Sequence, residues 1–338
     1  MFKNYKTVVI SFFVVLFAIS CKKDEAKPET PETKSGGAVI ICEGLFGNAN
    51  SRIDYYNNET ETLETNVFFK ANNRVLGDVG QFAIEFNNEI FVVVNNSGKI
   101  ERINKTNFKS ISIIQNLQSP RIILPLSNKL YISDLYANKI HIIAYPSLTY
   151  SNSIALNGWV EEMVEIDNFV YSSNNNKPYI YVINKSTDII VDSIATNEAP
   201  GSIALDKNNK IWALTGTTGG SVSLLKVNPQ SKTVEANYAA NVNGAMKLRI
   251  NKAKDHLYFL SGSKVFHMGI NDASPSVFVE QNNANWYGLK EEPSTGNIWI
   301  CNAKSFVENG EIQVFTPNAQ LLKTIETGIN PNDIVFLQ

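Results

Sequence analysis

A short apolar strand that ends in small polar residues recurs along the chain at intervals of about 42 residues. The seven copies are VIICEG (39–44), IFVVVNN (90–96), LYISDLY (130–136), FVYSSNN (169–175), IWALTGT (211–217), LYFLSGS (257–263) and IWICNAK (298–304). A period of this size is typical of propellers and solenoids, because one unit cannot bury its own apolar face. The repeat predicts one closed array, with function carried by its loops.

Each repeat unit reads as four short strands bounded by Gly, Pro and Asn, which is the pattern of a propeller blade. In the clearest unit the strands are predicted at 158–166, 169–173, 179–184 and 188–195. Inner strands of other units are predicted to begin near Val79, Arg121, Ser202, Met246 and Tyr287. The first unit begins at Ala38 with its second strand, so we expect PNDIVFLQ (331–338) to supply its inner strand. The pattern predicts an all-β, seven-bladed β-propeller over residues 38–338, closed by its C-terminal strand.

The N-terminal segment has a different pattern. Lys3 and Lys6 precede the apolar run Val8–Ala18, and small residues lie directly before Cys21. This arrangement predicts a signal peptide over residues 1–20, since the apolar run is too short to span a membrane. A cysteine at this place resembles a bacterial lipobox, which implies lipidation of Cys21. The alternative is a plain signal peptide followed by an incidental cysteine.

Residues 21–37 are expected to form a lipidated, disordered tether. The segment KKDEAKPETPETKSGG (22–37) is polar and proline-rich, and it cannot bury enough apolar surface to fold. Its first four residues resemble the acidic export signal of surface lipoproteins in Bacteroidetes-type bacteria. We therefore expect an outer-membrane lipoprotein exposed at the cell surface, with a periplasm-facing lipoprotein as the alternative.

The charge of the chain bears on its possible partners. The 338-residue chain has a formal net charge of −2 and no run of Lys or Arg, so nucleic acid is not expected as a partner.

Two cysteines lie within the repeat. Cys42 and Cys301 end the same repeated strand in the first and last units. Equivalent positions on adjacent blades lie further apart than a disulfide allows. We expect two buried free thiols, with a bridge as the alternative in an oxidising compartment.

One face of the propeller is expected to carry the binding site. It collects the loops between blades and the loops that join second to third strands, which are rich in Asn and large aromatics. Asn offers a hydrogen-bond donor and an acceptor, and aromatic rings offer stacking area, although Asn is also a common turn residue. The candidate ligand-binding residues are Phe46, Asn48, Arg74, Gln81, Asn95, Arg121, Asp134, Tyr136, Trp159, Glu162, Asn175, Lys247, Trp286, Tyr287, Asn302 and Phe306.

The sequence gives few signs of catalysis. His141 and His267 are predicted to lie on third strands and His256 beside an opposite-face turn, so the three share neither a loop face nor metal-ligand spacing. No Walker, G-x-S-x-G or dinucleotide fingerprint occurs in a suitable context. The remaining candidates are carboxylates at or near inner-strand starts, namely Asp78, Glu161, Glu162 and Asp333. Such acids leave open a calcium-dependent hydrolase or lyase. We expect binding without catalysis, metal or cofactor.

Several segments carry a resemblance to a known family. They are ICEGLFGNANSRIDYYN (41–57), RVLGDVGQ (74–81), VVVNNSGKIERIN (92–104), SPRIILPLSNKLYISDLYANKI (119–140) and GWVEEMV (158–164). From about Gly37 to Gln338 the chain resembles the YncE-like seven-bladed propellers of Bacteroidetes-type bacteria, which include BtuG-type cobalamin-binding surface lipoproteins. It departs from the expected Asn-Glu-Gly at Cys42-Glu43-Gly44.

The resemblance implies capture of cobalamin or a related corrinoid at the cell surface. The corrinoid would pass to a TonB-dependent outer-membrane transporter, and the propeller would otherwise be a monomer. The loop face taken alone would also suit a glycan or a siderophore. A third possibility is an adhesion or structural module that docks proteins.

Overall fold

The structure, a computed structural model, describes residues 1–2, 36–196 and 198–337. Almost all of the predicted signal peptide and tether, including Cys21, lies outside the described residues. Among the residues described, no helix has the length and apolar character needed to cross a membrane.

The ring consists of seven four-stranded antiparallel sheets, as predicted from the repeat. Blade 1 contains β1 (Ala38–Cys42), β2 (Arg52–Asn57) and β3 (Thr62–Glu64), and helix α1 (Val67–Asn72) follows it. Blade 2 contains β4 (Gly80–Phe86), β5 (Glu89–Val94), β6 (Lys99–Asn104) and β7 (Ser110–Ile114), with a 3₁₀ turn at Asn95–Ser97. Blade 3 contains β8 (Pro120–Pro125), β9 (Lys129–Asp134), β10 (Lys139–Ala144) and β11 (Tyr150–Ala155).

The remaining blades repeat this order. Blade 4 contains β12 (Val160–Ile166), β13 (Phe169–Asn174), β14 (Tyr179–Asn184) and β15 (Ile189–Ala195). Blade 5 contains β16 (Ser202–Leu205), β17 (Ile211–Leu214), β18 (Ser221–Asn228) and β19 (Thr233–Asn243). Blade 6 contains β20 (Met246–Ile250), β21 (His256–Ser261), β22 (Lys264–Gly269) and β23 (Ser276–Glu280). Blade 7 contains β24 (Trp286–Glu291), β25 (Ile298–Asn302), β26 (Asn309–Phe315) and β27 (Leu321–Ile329).

The C-terminal strand β28 (Pro331–Phe336) closes the ring, which confirms the prediction. It pairs antiparallel with β1, so that Ala38 lies opposite Phe336 and Ile40 opposite Ile334. The order of blade 1 is therefore β28-β1-β2-β3. Because the first and last strands share one sheet, the two ends of the ring are held together by the same hydrogen bonds that hold each blade.

The apolar core lies between adjacent blades. The second strand of each blade is buried almost completely, because it has a neighbouring blade on either face, and this explains its uninterrupted apolar sequence. Outer strands such as β19 instead alternate between half-buried and exposed residues. The largest fully buried side chains include Trp212, Trp299 and Tyr131.

Cys42 and Cys301 are free and buried, as expected. Burial raises the pKa of the Cys42 thiol and of the Cys301 thiol. The two side chains belong to one apolar cluster between blades 7 and 1. They therefore act as small apolar side chains in the core.

Helix α1 was not expected from the repeat. Residues at both of its ends, Asn66 and Asn73, adopt left-handed backbone, and the helix buries Val67 and Phe68 against the core. The Asn72 amide donates to the Phe68 carbonyl at 2.8 Å and to the Phe108 carbonyl at 2.9 Å. The helix thus follows the three-residue strand β3 and packs against β2.

Candidate ligand-binding mouth and upper face

The two faces of the ring differ in the strand ends they carry. Every inner strand begins on the same face, which also holds the loops between blades and the loops from second to third strands. We call this the upper face, and the other, which contains Gly37, Pro293 and Phe336, the lower face. The central channel opens on the upper face in a cavity of about 240 Å³, which we call the mouth.

β-Bulges place the side chains of the mouth. The register shifts near the start of six inner strands, β4, β8, β12, β20, β24 and β28. A bulge adds one residue to a strand and redirects its side chain. The residues at these bulges that line the mouth include Gln81, Arg121, Glu161, Lys247, Tyr287 and Asn332. One irregularity, repeated around the ring, therefore collects polar side chains at the channel entrance.

Arg121 connects two blades across the mouth. Its Nε lies 2.9 Å from Glu161 Oε2, and its Nη1 donates to Gln81 Oε1 at 2.6 Å. Asn175 donates to Glu161 Oε1 at 3.2 Å and accepts a hydrogen bond from Thr217 at 2.7 Å. The network runs through blades 2, 3, 4 and 5 and satisfies the Glu161 carboxylate.

Arg249 forms the second ion pair of the mouth. Its Nη1 lies 2.7 Å from Glu162 Oε1, while the backbone N–H of Ile203 donates to Glu162 Oε2 at 3.0 Å. The Ser202 hydroxyl also donates to Glu162 and accepts from the Leu248 N–H. Two of the four acids proposed from the sequence, Glu161 and Glu162, are thus paired with arginines. Within residues 36–196 and 198–337, no group of three or more His, Cys, Asp and Glu could hold a metal ion.

Glu43 lies buried at the edge of the mouth. Tyr287 donates its hydroxyl to Glu43 Oε2 at 3.0 Å, and Asn332 donates to Glu43 Oε1 at 2.7 Å. Burial raises the pKa of Glu43 above its usual value. Burial together with the Glu43 carboxylate raises the pKa of Tyr287. Both oxygens of Glu43 are therefore occupied by neighbours of the same ring.

Two aromatic contacts border the mouth. Tyr136 and Trp159 are 59% and 39% exposed, and their rings meet edge to face with centroids 6.2 Å apart. Phe306, 40% exposed, meets Tyr287 edge to face at 5.4 Å. Phe46, on the loop after β1, is 78% exposed. These rings offer flat apolar area beside the polar mouth.

Exposed apolar side chains are distributed unevenly over the ring. On the upper-face loops, the large exposed apolar residues are Phe46, Tyr136, Trp159, Met246, Phe306 and Val307. The others in residues 36–337 lie on the outer strands, on α1 (Phe69) or just after it (Val75), and none of the described lower-face loops carries one. Between the two loop faces, exposed apolar side chains are thus confined to the upper one, which is typical of an interaction site.

Trp286 and Arg74 were predicted to bind the ligand, but the structure places both away from the mouth. Trp286 is only 3% exposed, packs between blades 6 and 7, and donates its indole N–H to the Ser263 carbonyl at 2.9 Å. Arg74 lies at the outer side of blade 2, where its Nη1 is 3.2 Å from Glu101 Oε2. Trp286 directly precedes the bulge residue of β24, so its side chain points into the core and that of Tyr287 towards the mouth.

Four other candidates fix the backbone of upper-face loops. Asp134 is fully buried and accepts from the Gln118 and Ser119 N–H groups, both at 2.8 Å. The buried Asn302 accepts from the Asn285 N–H at 3.0 Å. Asn95 donates to the Pro120 carbonyl at 2.8 Å, and the exposed Asn48 donates to the Phe46 carbonyl at 3.5 Å. These side chains stabilise turns, and Asp134 and Asn302 are too deeply buried to meet a ligand.

Two of the three histidines are in contact with each other. His256 Nε2 and His267 Nδ1 are 3.0 Å apart on adjacent strands, so these two residues share a surface. His141 is buried, and its Nε2 lies 3.0 Å from Asp134 Oδ2. None of the three lines the mouth.

The structure brings six predicted residues together in the mouth: Gln81, Arg121, Glu162, Asn175, Lys247 and Tyr287. The candidate set from the sequence omitted Glu43, Ser202, Arg249 and Asn332. Ser202 and Asn332 occupy the same place near the start of an inner strand as Gln81 and Arg121, and that recurrence was an available signal. Glu43 is brought in by β1 and β28, whose pairing depends on ring closure.

Comparisons with solved structures agree with this architecture. A quinonprotein alcohol dehydrogenase-like protein from Bacteroides thetaiotaomicron is 12% identical with a TM-score of 0.72, and the match covers 90% of this chain and 78% of that one. A functionally unknown protein from Desulfotomaculum acetoxidans is 12% identical with a TM-score of 0.69, covering 90% and 99%. The periplasmic gluconolactonase of Pseudomonas aeruginosa is 10% identical with a TM-score of 0.68, also covering 90% and 99%. These identities show the fold alone.

No curated protein matches the sequence. A family model does, over residues 36–329, which include β1 to β27 and end before β28. The chain therefore belongs to the family described as domain of unknown function DUF5074.

Proposed function

We propose that this protein is a non-catalytic binding propeller that captures cobalamin or a related corrinoid on its upper face. In this proposal it is a lipoprotein anchored through Cys21 to the outer membrane and exposed at the cell surface. It passes the corrinoid to a TonB-dependent outer-membrane transporter. The family resemblance described above motivates the choice of ligand and transporter.

The observation that carries the proposal is the one-sided distribution of exposed apolar side chains. The Tyr136–Trp159 pair and Phe306 lie on the upper face, beside a mouth that carries Gln81 and Asn175. A corrin ring is broad and flat and bears amide side chains at its rim. Exposed rings can stack on its face while carboxamides and a phenol exchange hydrogen bonds with its amides.

The state of the mouth acids supports binding without catalysis. Glu161 and Glu162 are each held by an arginine, and Glu162 also accepts a backbone N–H. Both carboxylates already accept hydrogen bonds from groups of the ring, which leaves them fewer acceptor positions for a substrate. The lactonase activity named for several structural neighbours belongs to those proteins, and the arginine pairs here favour a binding role.

Calorimetric titration of the purified full chain with cyanocobalamin tests the proposal. We expect one site with nanomolar or tighter affinity, because the ring provides a preformed surface that needs little ordering on binding. Absence of heat at micromolar concentrations would remove the corrinoid from the proposal. Titration with host and bacterial glycans, and then with candidate protein partners, would identify the alternative ligand class.

A further inference from the structure

One lysine of the mouth has no partner. Lys247 lines the cavity together with Arg121 and Arg249. Within the described parts of the ring, its ammonium group forms no hydrogen bond and no ion pair. The two arginines, in contrast, are bound to Glu161 and Glu162. A desolvated ammonium group without an acceptor is unfavourable, so this charge is incompletely compensated by the protein.

The neighbouring carboxylates are already engaged. Glu43 interacts electrostatically with Lys247, but its two oxygens accept hydrogen bonds from Tyr287 and Asn332. Burial and the nearby guanidinium groups of Arg249 and Arg121 lower the pKa of Lys247. Asn332 adds a second unsatisfied group, since its buried Oδ1 has no hydrogen-bond partner among the described residues. Asp333 also acts electrostatically on Lys247 and accepts the Ala83 N–H. The mouth therefore keeps unused hydrogen-bond donors on Lys247 and an unused acceptor on Asn332.

The backbone of Lys247 is held in an unusual conformation. Its φ is 59°, in the left-handed region that residues with a Cβ rarely adopt, and it lies at the bulge of β20. Left-handed residues of this kind occur often at ligand clamps, where surrounding structure maintains them. The bulge brings the lysine to the entrance of the channel, next to Arg121 and Arg249.

We propose that Lys247, flanked by Arg121 and Arg249, is an anion-binding site that takes a carboxylate or phosphate group of the ligand bound on the upper face. The three donors of the ammonium group would be satisfied by anionic oxygens, which would also relieve repulsion from the two guanidinium groups. The proposal rests on the proposed function for the choice of corrinoid. In cobalamin, the group with this chemistry is the phosphodiester of the nucleotide loop.

Two corrinoids and two lysine variants test the site. The full chain, Lys247→Met and Lys177→Met are titrated at low ionic strength with cyanocobalamin and with cobinamide, which lacks the nucleotide and its phosphodiester. Lys177 lies on the upper-face loop after β13 and outside the mouth, so its variant removes the same charge elsewhere. Methionine keeps the length and backbone preference of lysine, and thermal unfolding confirms that each variant is folded.

We expect Lys247→Met to weaken cyanocobalamin binding by about tenfold to a hundredfold, as for loss of a hydrogen bond to a charged group. The same variant should change the affinity for cobinamide by less than about twofold. Lys177→Met should change the affinity for either corrinoid by less than about twofold. An equal loss for both corrinoids, or no loss for cyanocobalamin, overturns the assignment of Lys247 to the phosphodiester.

A second measurement separates the anion site from the corrinoid function. If the full chain binds neither corrinoid, the proposed function fails. The anion site is then tested by thermal unfolding in two solutions, one containing sodium gluconate and the other containing glucose and the same concentration of sodium chloride. An anion site predicts that gluconate raises the Tm of the full chain and of Lys177→Met by about 2–4 °C, whereas Lys247→Met does not respond. No rise for the full chain, or an equal rise for Lys247→Met, overturns the anion site.

Discussion

At the scale of single residues, exposure distinguishes the candidate binding residues from those that support the fold. Tyr136 and Trp159 keep more than a third of their surface exposed while touching each other edge to face. The Asn175 N–H donates to the Trp159 carbonyl at 2.7 Å, which ties the tryptophan to the mouth network. The pair is thus held by the scaffold but has an open surface.

The aromatic pair gives the first residue-level prediction. Replacing both Tyr136 and Trp159 by alanine should weaken cyanocobalamin binding by about 2–4 kcal/mol, since each ring supplies stacking area in the complex. The stability of the ring should change little, because neither side chain is part of its core. Calorimetry of the double variant, with melting curves, measures both quantities.

Tyr150→Ala is the matched control, because Tyr150 is 57% exposed but lies on the outer strand β11. The Tyr150→Ala variant should bind cyanocobalamin with the same affinity as the unaltered protein. If the double variant binds as tightly as the Tyr150 control while remaining folded, the binding surface lies elsewhere on the ring.

At the scale of elements, ring closure depends on β28. This strand provides blade 1 with its inner strand and places buried Ile334 and Val335 in the clusters on either side of that blade. Asp333 accepts the Ala83 N–H at 3.0 Å, which links β28 to β4 of blade 2. Blade 1 without β28 would expose one edge of β1 and open the core at two interfaces.

Ending the chain at Gly328 should therefore lower the Tm by about 10 °C or more, or prevent folding. Thermal unfolding followed by circular dichroism, together with limited proteolysis, measures the effect. Ile334→Ala is the comparison, since it keeps the strand and removes one buried side chain, at a cost of about 2–5 kcal/mol. A shortened chain that melts like the complete one would contradict closure by β28.

Most elements could be predicted from the sequence because the repeat sets both strand order and spacing. The inner strand of blade 1 could be assigned to residues 331–338 because every other unit has one. Helix α1 could not be predicted, since it breaks the repeat and is stabilised by contacts with Phe108 of the next blade. The burial of Trp286 could not be predicted either. A bulge shifts the alternation of inward and outward side chains by one residue, and the sequence does not show where the bulge lies.

At the scale of the whole molecule, the mouth is assembled by all seven blades, so no short segment could reveal it. Gln81 and Asn332 lie at opposite ends of the sequence, yet Asn332 donates to the Gln81 carbonyl at 2.8 Å. From the sequence, one could predict only that residues near the starts of the inner strands line the mouth. Which of those residues are paired, and which keep a free charge, is decided by three-dimensional neighbours.

Attachment of the protein to a membrane is a prediction at this scale. If Cys21 is lipidated, the full chain should be recovered with the outer-membrane fraction and should incorporate labelled fatty acid. Cys21→Ser should be soluble and unlabelled, because one residue carries both acyl and diacylglycerol attachment in this proposal. Equal labelling and fractionation of Cys21→Ser would contradict the anchor, and protease treatment of intact cells reports which side of the membrane the ring occupies.

The way the ring closes also determines how the protein can be handled. The Leu337 N–H donates to the Gly37 carbonyl at 2.9 Å, and both residues border the lower face. A bead, a sensor chip or a fused partner joined at either end of the ring is therefore attached on the side away from the mouth. A short peptide could also link these two ends. Opening the chain at a lower-face turn instead would then give a circular permutant whose mouth is unaltered.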